Sequence, residues 1–301
     1  MNSTSTDPRT PWHGVLVATA LPLREDLSVD FDAYAAHCAW LISEGCDGVV
    51  PNGSLGEYQT LTPEERARVV RTAVEAIGAD RVIPGVAAYG SAEARRWAEQ
   101  AAEAGCPSVL LLPPNAYRAD VPTVRAHYAE VAKAGLPIVA YNNPYDTKVD
   151  LTPELLADLY QDGNIVAVKE FSGDVRRAYQ LAELAPELDV LAGTDDVLVE
   201  LLTAGAKGWI AGYPNAFPRA CRQLYDTALS GRLADALPLY RLLHPLLRWD
   251  SRTEFVQAIK LSMDLVGRSG GSCRPPRQPL AAETADAVRR ATRQAVAAGC
   301  S

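Results

Sequence analysis

Residues 161–173 read QDGNIVAVKEFSG, in which a helix ends at a glycine and is followed at once by a short apolar strand. The same unit recurs at 43–53 (SEGCDGVVPNG), 75–86 (EAIGADRVIPGV), 103–114 (EAGCPSVLLLPP), 133–144 (KAGLPIVAYNNP) and 203–214 (TAGAKGWIAGYP). GVLVAT at 14–19 and LDVLAG at 188–193 bring the expected strands to eight. The strands are continuous in apolarity, which is typical of parallel strands covered on both faces. Eight such units predict an α/β fold, a closed (β/α)8 TIM barrel.

Three further helical patterns follow residue 230, at LADALPLYRLLHPLLRW, TEFVQAIKLSMDLVG and AAETADAVRRATRQAVAAG. A minimal barrel does not need them. We therefore expect a flexible N-terminus at 1–11, a barrel at 12–230 and a C-terminal helical extension at 231–301. An open doubly wound sheet is the competing architecture, and it is disfavoured because no G-x-G-x-x-G motif follows the first strand.

The composition favours a small metabolite over a polymer or a membrane as the partner. The 301 residues carry a formal net charge of −8 and a pI near 5.1, and no Lys/Arg-rich run supplies the basic face of a nucleic-acid binder. No stretch approaches the roughly 18 apolar residues of a membrane span, and the first ten residues lack the pattern of a signal peptide. These features predict a cytoplasmic protein.

Side chains that bind metals are scattered along the chain. The six cysteines form no C-x-x-C pair and the four histidines form no i,i+4 pair, so we predict no metal site and buried or incidental thiols. Asp195 and Asp196 have no further ligand nearby and are interpreted as a helix cap followed by a first-turn acid. A metal-dependent barrel aldolase is therefore disfavoured.

Lys169 ends the apolar run IVAVK, and the carboxyl ends of barrel strands form the mouth where active sites lie. Desolvation lowers the pKa of a buried amine, and a neutral amine is a nucleophile suited to carbonyl carbon. The plainer interpretation is a lysine that only pairs with Glu170 or with a loop carboxylate. The other four lysines, at positions 133, 148, 207 and 260, do not end a strand.

Two other strand ends carry polar groups that suit the same chemistry. The turn GSLGE at 53–57 has two glycines that permit a tight turn, so that backbone N–H groups and the Ser54 hydroxyl can bind a carboxylate. Tyr141 ends the run PIVAY and either relays protons to a substrate or packs its ring with the hydroxyl in water. The residues by themselves leave both interpretations of Tyr141 open.

Four motifs stand in the order and at the spacing of the dihydrodipicolinate synthase / N-acetylneuraminate lyase family. They are G-S-L-G-E at 53–57, Y-N-N-P at 141–144, V-K-E-F-S-G at 168–173 and G-T-D-D at 193–196, and the sequence resembles the family over about residues 12–300. The resemblance implies a homodimeric or homotetrameric lyase or aldolase that needs no cofactor, because a lysine itself forms a Schiff base with pyruvate or a related 2-oxo acid. The implied catalytic residues are Lys169, Tyr141 and Ser54, and the implied substrate-binding residues are Gly53, Leu55, Asn142, Ile210 and Gly212.

Two departures from the family pattern bear on the substrate. Dihydrodipicolinate synthases carry a second tyrosine, within T-P-Y-Y, that completes a proton relay between subunits, and here that place holds Ala116. They also carry an arginine after Y-N-x-P that binds the carboxylate of aspartate semialdehyde, and here that place holds Asp146. Lysine biosynthesis is therefore disfavoured.

The sequence is more similar to 1-pyrroline-4-hydroxy-2-carboxylate deaminases of hydroxyproline breakdown. The similarity rests on Y-N-N-P, on K-E-F-S-G-D-V-R-R at 169–177 and on N-A-F-P at 215–218. One alternative is a pyruvate-dependent aldolase or lyase that acts on a 4-hydroxy-2-oxo acid. The other is a barrel that has lost catalysis and only binds a 2-oxo acid.

Overall fold

A computed structural model describes residues 10–301, so that most of the expected flexible N-terminus at 1–11 lies outside the described residues. Within 10–301, seven parallel strands form one sheet in the order β2-β1-β7-β6-β5-β4-β3. The strands are β1 Gly14–Ala18, β2 Gly48–Val50, β3 Val109–Leu111, β4 Ile138–Asn142, β5 Ala167–Glu170, β6 Asp189–Ala192 and β7 Gly208–Ala211. They correspond to seven of the eight strands predicted from the repeats.

The eighth predicted strand, at 82–86, closes the sheet between β2 and β3 through isolated bridges. Ile83 N donates to Val49 O at 3.0 Å on one side, and Leu110 N donates to Pro84 O at 2.9 Å on the other. Pro84 has no N–H to donate, so the ladder is interrupted and this segment is not a regular strand. The predicted (β/α)8 barrel is confirmed. An open doubly wound sheet is excluded because the segment 82–86 connects β2 to β3 by hydrogen bonds.

Helices cover the outside of the barrel, as the repeats predicted. They are α1 Phe31–Ser43, α2 Pro63–Ile77, α3 Ser91–Glu103, α4 Val121–Ala132, α5 Pro144–Thr147, α6 Pro153–Gln161, α7 Arg176–Leu184, α8 Leu198–Thr203 and α9 Pro218–Leu229. Short 3-10 turns lie at Tyr58–Thr60, Ala79–Arg81, Asp195–Val197 and Tyr213–Asn215. The start of α2 shows why these sequences form helices. Thr62 Oγ1 accepts from Glu65 N at 3.2 Å while Glu65 Oε2 accepts from Thr62 N at 3.0 Å, and this reciprocal cap satisfies two N–H groups that the helix leaves unpaired.

The C-terminal extension contains α10 Leu233–Leu247, α11 Phe255–Leu265 and α12 Ala282–Ala297, at the three predicted positions. α10 packs on α9 of the barrel and on α12, and α11 packs on α12 and on the turn at Tyr213–Asn215. The connection between α10 and α11 therefore reaches the end of the barrel where β7 terminates. Across residues 10–301, we find no helix with the length and apolarity to cross a membrane.

Candidate active site

A cavity of about 560 Å³ opens at the carboxyl ends of the strands, where the barrel mouth was predicted. Its wall includes six of the eight predicted site residues: Gly53, Ser54, Leu55, Tyr141, Lys169 and Gly212. The wall also carries three cationic side chains, Lys148, Arg252 and Arg277. This arrangement suits a small anionic ligand held near an amine.

Lys169 lies in β5 beside Tyr141 of β4, with which it is in register across the sheet. Its side chain is only 6% exposed, and its Nζ atom lies 4.3 Å from the centroid of the Tyr141 ring and 5.6 Å from that of Phe171. Burial lowers the pKa of Lys169, although the negative charges of Asp250 and Asp195 oppose part of that shift. At a given pH, the neutral form is therefore a larger fraction of the Lys169 amine than of a solvated lysine.

The plainer interpretation of Lys169, a simple pair with Glu170, does not fit this geometry. The Glu170 carboxylate accepts from Asn142 Nδ2 at 3.0 Å and from the Ser172 backbone N–H at 2.6 Å. Among the ion pairs of residues 10–301, none with an N···O distance within 4.0 Å includes Lys169. Lys169 is thus a buried amine at the cavity wall without a carboxylate in direct contact.

The Tyr141 ring lies next to the same amine, and its hydroxyl is buried. It accepts a long hydrogen bond from Asn143 Nδ2 at 3.4 Å, and the ring packs edge-on against Phe171. Burial, with the negative charges of Asp250 and Asp146, raises the pKa of Tyr141 well above its ordinary value. The hydroxyl therefore stays protonated at neutral pH and is able to donate a proton or a hydrogen bond.

A buried ion pair between the turn at 53–57 and α11 holds the turn in place, and the sequence did not reveal it. Lys260 of α11 donates from Nζ to Glu57 Oε1 at 2.7 Å and to Ser272 O at 2.8 Å. Glu57 Oε2 also accepts from Arg274 N at 2.9 Å, and Glu57 itself has a left-handed backbone with φ of 54°. The C-terminal extension therefore holds the turn that carries Ser54.

The interpretation of Asp195 as a helix cap is wrong. Its carboxylate accepts from Trp209 Nε1 at 2.9 Å, from Tyr213 N at 2.9 Å and from Gly212 N at 3.1 Å. It therefore fixes the segment after β7, since tertiary hydrogen bonds across the mouth outweigh a local cap. Burial raises the pKa of Asp195 to about 6.

Two predicted site residues lie outside the cavity wall. Asn142 donates to Glu170 and accepts from Leu151 N at 3.0 Å, and it is fully buried beneath the mouth. Ile210 is also fully buried, in β7. Asn142 orients the strand ends, whereas Gly212, two residues after Ile210, forms part of the wall.

Asp250 lines the cavity and was missed in the sequence. It lies in the connection between α10 and α11, 8% exposed, where neither periodicity nor a strand end marks it. At the rim, Asp146 lines the cavity and its Oδ2 accepts from Asn143 Nδ2 at 2.9 Å, while Ala116 is exposed and outside the wall. Only the tertiary packing of the extension brings Asp250 into the cavity that Lys169 lines.

Comparison with known proteins identifies what this arrangement resembles. A model of the dihydrodipicolinate synthetase family matches residues 11–295. The chain is 33% identical over 289 residues to a 4-hydroxy-tetrahydrodipicolinate synthase of Gluconacetobacter diazotrophicus, covering 94% of this chain and 96% of the relative. It is 34% identical over 286 residues to the enzyme of the same name in Anaeromyxobacter dehalogenans, covering 92% of this chain and 95% of that one. The structure of the 4-hydroxy-tetrahydrodipicolinate synthase of Methylacidiphilum fumariolicum superimposes with a TM-score of 0.90 at 28% identity, covering 95% of this chain and 96% of that one.

Proposed function

Since this chain belongs to the dihydrodipicolinate synthetase family of lyases, we propose that its Lys169 forms a Schiff base with a small 2-oxo acid or cyclic 2-imino acid. The observation that carries the proposal is the burial of the Lys169 amine at the cavity wall, with a lowered pKa and, among residues 10–301, no carboxylate in an ion pair with it. A neutral amine in that position can attack an electrophilic carbon without first losing a proton to water. The family's chemistry needs no external cofactor, because the lysine supplies the covalent bond.

The remaining cavity residues take roles that follow from their positions. Ser54 and the backbone N–H groups of its turn bind the substrate carboxylate, with Gly53 and Leu55 shaping the wall. The Tyr141 hydroxyl moves the proton that the carbinolamine must gain before its leaving group departs. Each role requires only the groups that line the cavity.

The reaction that the motifs favour is the deamination of 1-pyrroline-4-hydroxy-2-carboxylate. Lys169 attacks the ring imine carbon, the ring nitrogen leaves that carbon as an amine, and the 4-hydroxyl departs by elimination. Loss of a proton from C5 and protonation at C3 move the double bond to C4=C5, and the resulting enamine tautomerises to an imine at C5. Hydrolysis of that imine releases ammonia, and hydrolysis at C2 releases the semialdehyde from Lys169. The motifs Y-N-N-P, K-E-F-S-G-D-V-R-R and N-A-F-P support this branch.

The names of the relatives favour a second candidate, 4-hydroxy-tetrahydrodipicolinate synthase. Two departures from the family pattern oppose it. The place of the relay tyrosine holds an exposed alanine, Ala116, and the place of the carboxylate-binding arginine holds Asp146. A second anionic substrate would be repelled by the Asp146 carboxylate rather than bound.

Borohydride trapping tests the Schiff base directly. The protein is incubated with pyruvate or with 1-pyrroline-4-hydroxy-2-carboxylate, reduced, and digested for peptide mass spectrometry. We expect the adduct on Lys169, none in Lys169→Ala, and an undiminished adduct in Lys133→Arg, which changes an exposed lysine on the outer surface. An adduct elsewhere, or none with either compound in a folded sample, contradicts the proposal and favours the non-catalytic barrel.

The products separate the candidate reactions. Ammonia and a semialdehyde from the cyclic imine identify the deaminase, whereas pyruvate from a 4-hydroxy-2-oxo acid identifies the aldolase. Condensation of pyruvate with aspartate semialdehyde identifies the synthase. We extend the proposal to a cytoplasmic location and to a homodimer or homotetramer, the assembly that the family resemblance implies. Sedimentation velocity of the purified chain tests that assembly.

A further inference from the structure

Asp250 brings a buried carboxyl group into the wall that holds Lys169. It follows α10 and its backbone N–H donates to Leu247 O at 3.1 Å, so that the chain turns at this point toward the barrel mouth. The side chain is 8% exposed and lines the same cavity as Lys169 and Tyr141. The C-terminal extension therefore contributes directly to the site.

The position of the Asp250 carboxyl depends on Gly212 at the end of β7. A Cβ atom on Gly212 would lie 2.6 Å from Asp250 Oδ1 and 2.8 Å from Ile259 Cδ1, closer than real Cβ contacts allow. Gly212 itself is held by its N–H bond to Asp195. The absence of a side chain at this position leaves room for the Asp250 carboxyl in the cavity that Lys169 also lines.

The charges of Asp250 and Lys169 each shift the pKa of the other residue, and the charge of Asp250 also shifts the pKa of Tyr141. The negative charge of Asp250 raises the pKa of Lys169 against desolvation, and it also raises the pKa of Tyr141. Burial, followed by the charge of Asp195, raises the pKa of Asp250 well above its ordinary value, while the charge of Lys169 lowers it. A cation formed at Lys169 would therefore favour the ionised form of Asp250.

Other acidic groups near the mouth are less suited to proton transfer. Asp195 accepts three hydrogen bonds and Glu170 accepts bonds from Asn142 and Ser172, and neither lines the cavity. Asp146 is exposed at the rim. Within residues 10–301, Asp250 is the one buried carboxyl in the wall, and the wall contains no histidine.

We propose that Asp250 is the catalytic acid–base group for an elimination from the substrate bound to Lys169. Its carboxylate removes a proton from C3 of the lysine-bound iminium ion and then delivers that proton to the oxygen that leaves C4. The assignment rests on the proposed Schiff base at Lys169. It narrows the substrate class to small acids with an electrophilic C2, a hydrogen on C3 and a hydroxyl on C4.

The steps balance without any further reactant. When the C3–H bond breaks, its electron pair forms the C2=C3 bond and the iminium nitrogen recovers its lone pair. That lone pair then re-forms the C2=N bond, the C2=C3 pair moves to C3=C4, and the C4–O pair leaves on oxygen. The proton held by Asp250 converts the departing hydroxide to water, so Asp250 ends as the carboxylate with which it began.

Hydrogen exchange at C3 of pyruvate isolates the first of these steps. In D2O the wild-type protein should exchange the pyruvate methyl hydrogens, as followed by proton NMR, while borohydride traps the adduct on Lys169. Asp250→Asn should keep the trapped fraction but lose about 10²-fold or more of the exchange rate, since general-base assistance contributes at that level. Asp226→Asn makes the same change on the exposed face of α9 and should leave both readouts unchanged.

Chemical rescue distinguishes proton transfer from a structural role. Asp250→Ala removes the carboxyl, and added formate should restore part of its exchange rate, whereas Asp250→Glu should retain a measurable rate. Exchange by Asp250→Asn within about threefold of wild type, or loss of trapping together with exchange and without formate rescue, overturns the assignment. Absence of any adduct on wild-type Lys169 instead overturns the proposed function, and the Asp250 assignment falls with it.

Discussion

Replacing Lys260 by methionine should destabilise the protein and weaken substrate binding together. The Lys260 and Glu57 side chains are 1% and 2% exposed, and their charges meet at 2.7 Å between α11 and the turn at 53–57. Methionine keeps much of the side-chain volume but leaves the Glu57 carboxylate buried without its cationic partner, while the Arg274 N–H bond at 2.9 Å remains. An uncompensated buried charge is the expected consequence.

The magnitude follows from this burial. Removal of one partner of a buried ion pair costs about 3–5 kcal/mol in the free energy of unfolding. At about 2 °C per kcal/mol for a chain of this size, the melting temperature should fall by roughly 6–10 °C. The double variant Glu57→Gln with Lys260→Met removes both charges and retains an acceptor for Arg274 N, so it should recover part of the loss.

Thermal unfolding of the two single variants, the double variant and the wild type provides the double-mutant cycle. Lys207→Met is the matched control, because Lys207 is exposed and such surface changes shift the free energy of unfolding by about 0.5 kcal/mol or less. KM should also rise in Lys260→Met, since the pair holds the turn that carries Ser54. A melting temperature of Lys260→Met within 2 °C of wild type, roughly 1 kcal/mol, would refute the view that this pair anchors the turn.

Three further outcomes follow from the cavity. Tyr141→Phe should lower kcat about 10²-fold if the hydroxyl transfers protons, and an unchanged kcat would leave only a packing role for the ring. Ser54→Ala should raise KM about 10-fold or more with little change in kcat, because a hydrogen bond to a charged group is worth about 1.5–3 kcal/mol; a selective fall in kcat would contradict that role. Because burial lowers the pKa of Lys169, its neutral fraction appears at lower pH than that of an ordinary lysine. Trapping with cyanoborohydride across a pH series should therefore reach half its maximum rate at Lys169 below the pH required by Nα-acetyl-lysine in solution, and equal midpoints would count against the desolvated amine.

The sequence predicted those parts of the site that lie at strand ends. Lys169 and Tyr141 each terminate a continuous apolar run, and strands of a parallel barrel all end at the same mouth. The sequence alone therefore predicts that the two side chains lie close together at the barrel mouth. Asn142 also ends a strand, but its side-chain amide bonds to Glu170 and Leu151, and its contact with the substrate stays a prediction.

Local patterns were less informative where tertiary contacts decide. Asp195 precedes a short helix and looks like a cap, yet its carboxylate binds the segment after β7. The strand predicted at 82–86 survives only as bridges, because Pro84 lacks an N–H. In both cases the local pattern predicted the position of the segment correctly. The hydrogen bonds that its residues make depend on the tertiary structure.

By itself the sequence determined the barrel, the three C-terminal helices and the lysine at the mouth, since apolar periodicity and strand order follow from local chain chemistry. Only the tertiary structure decided that Asp250 joins Lys169 in one cavity and that Lys260 anchors the turn at 53–57. The two residues of each pair lie 81 and 203 positions apart in the chain. Such separations are bridged by the packing of α10 and α11 on the barrel, and no spacing rule along the sequence encodes that geometry.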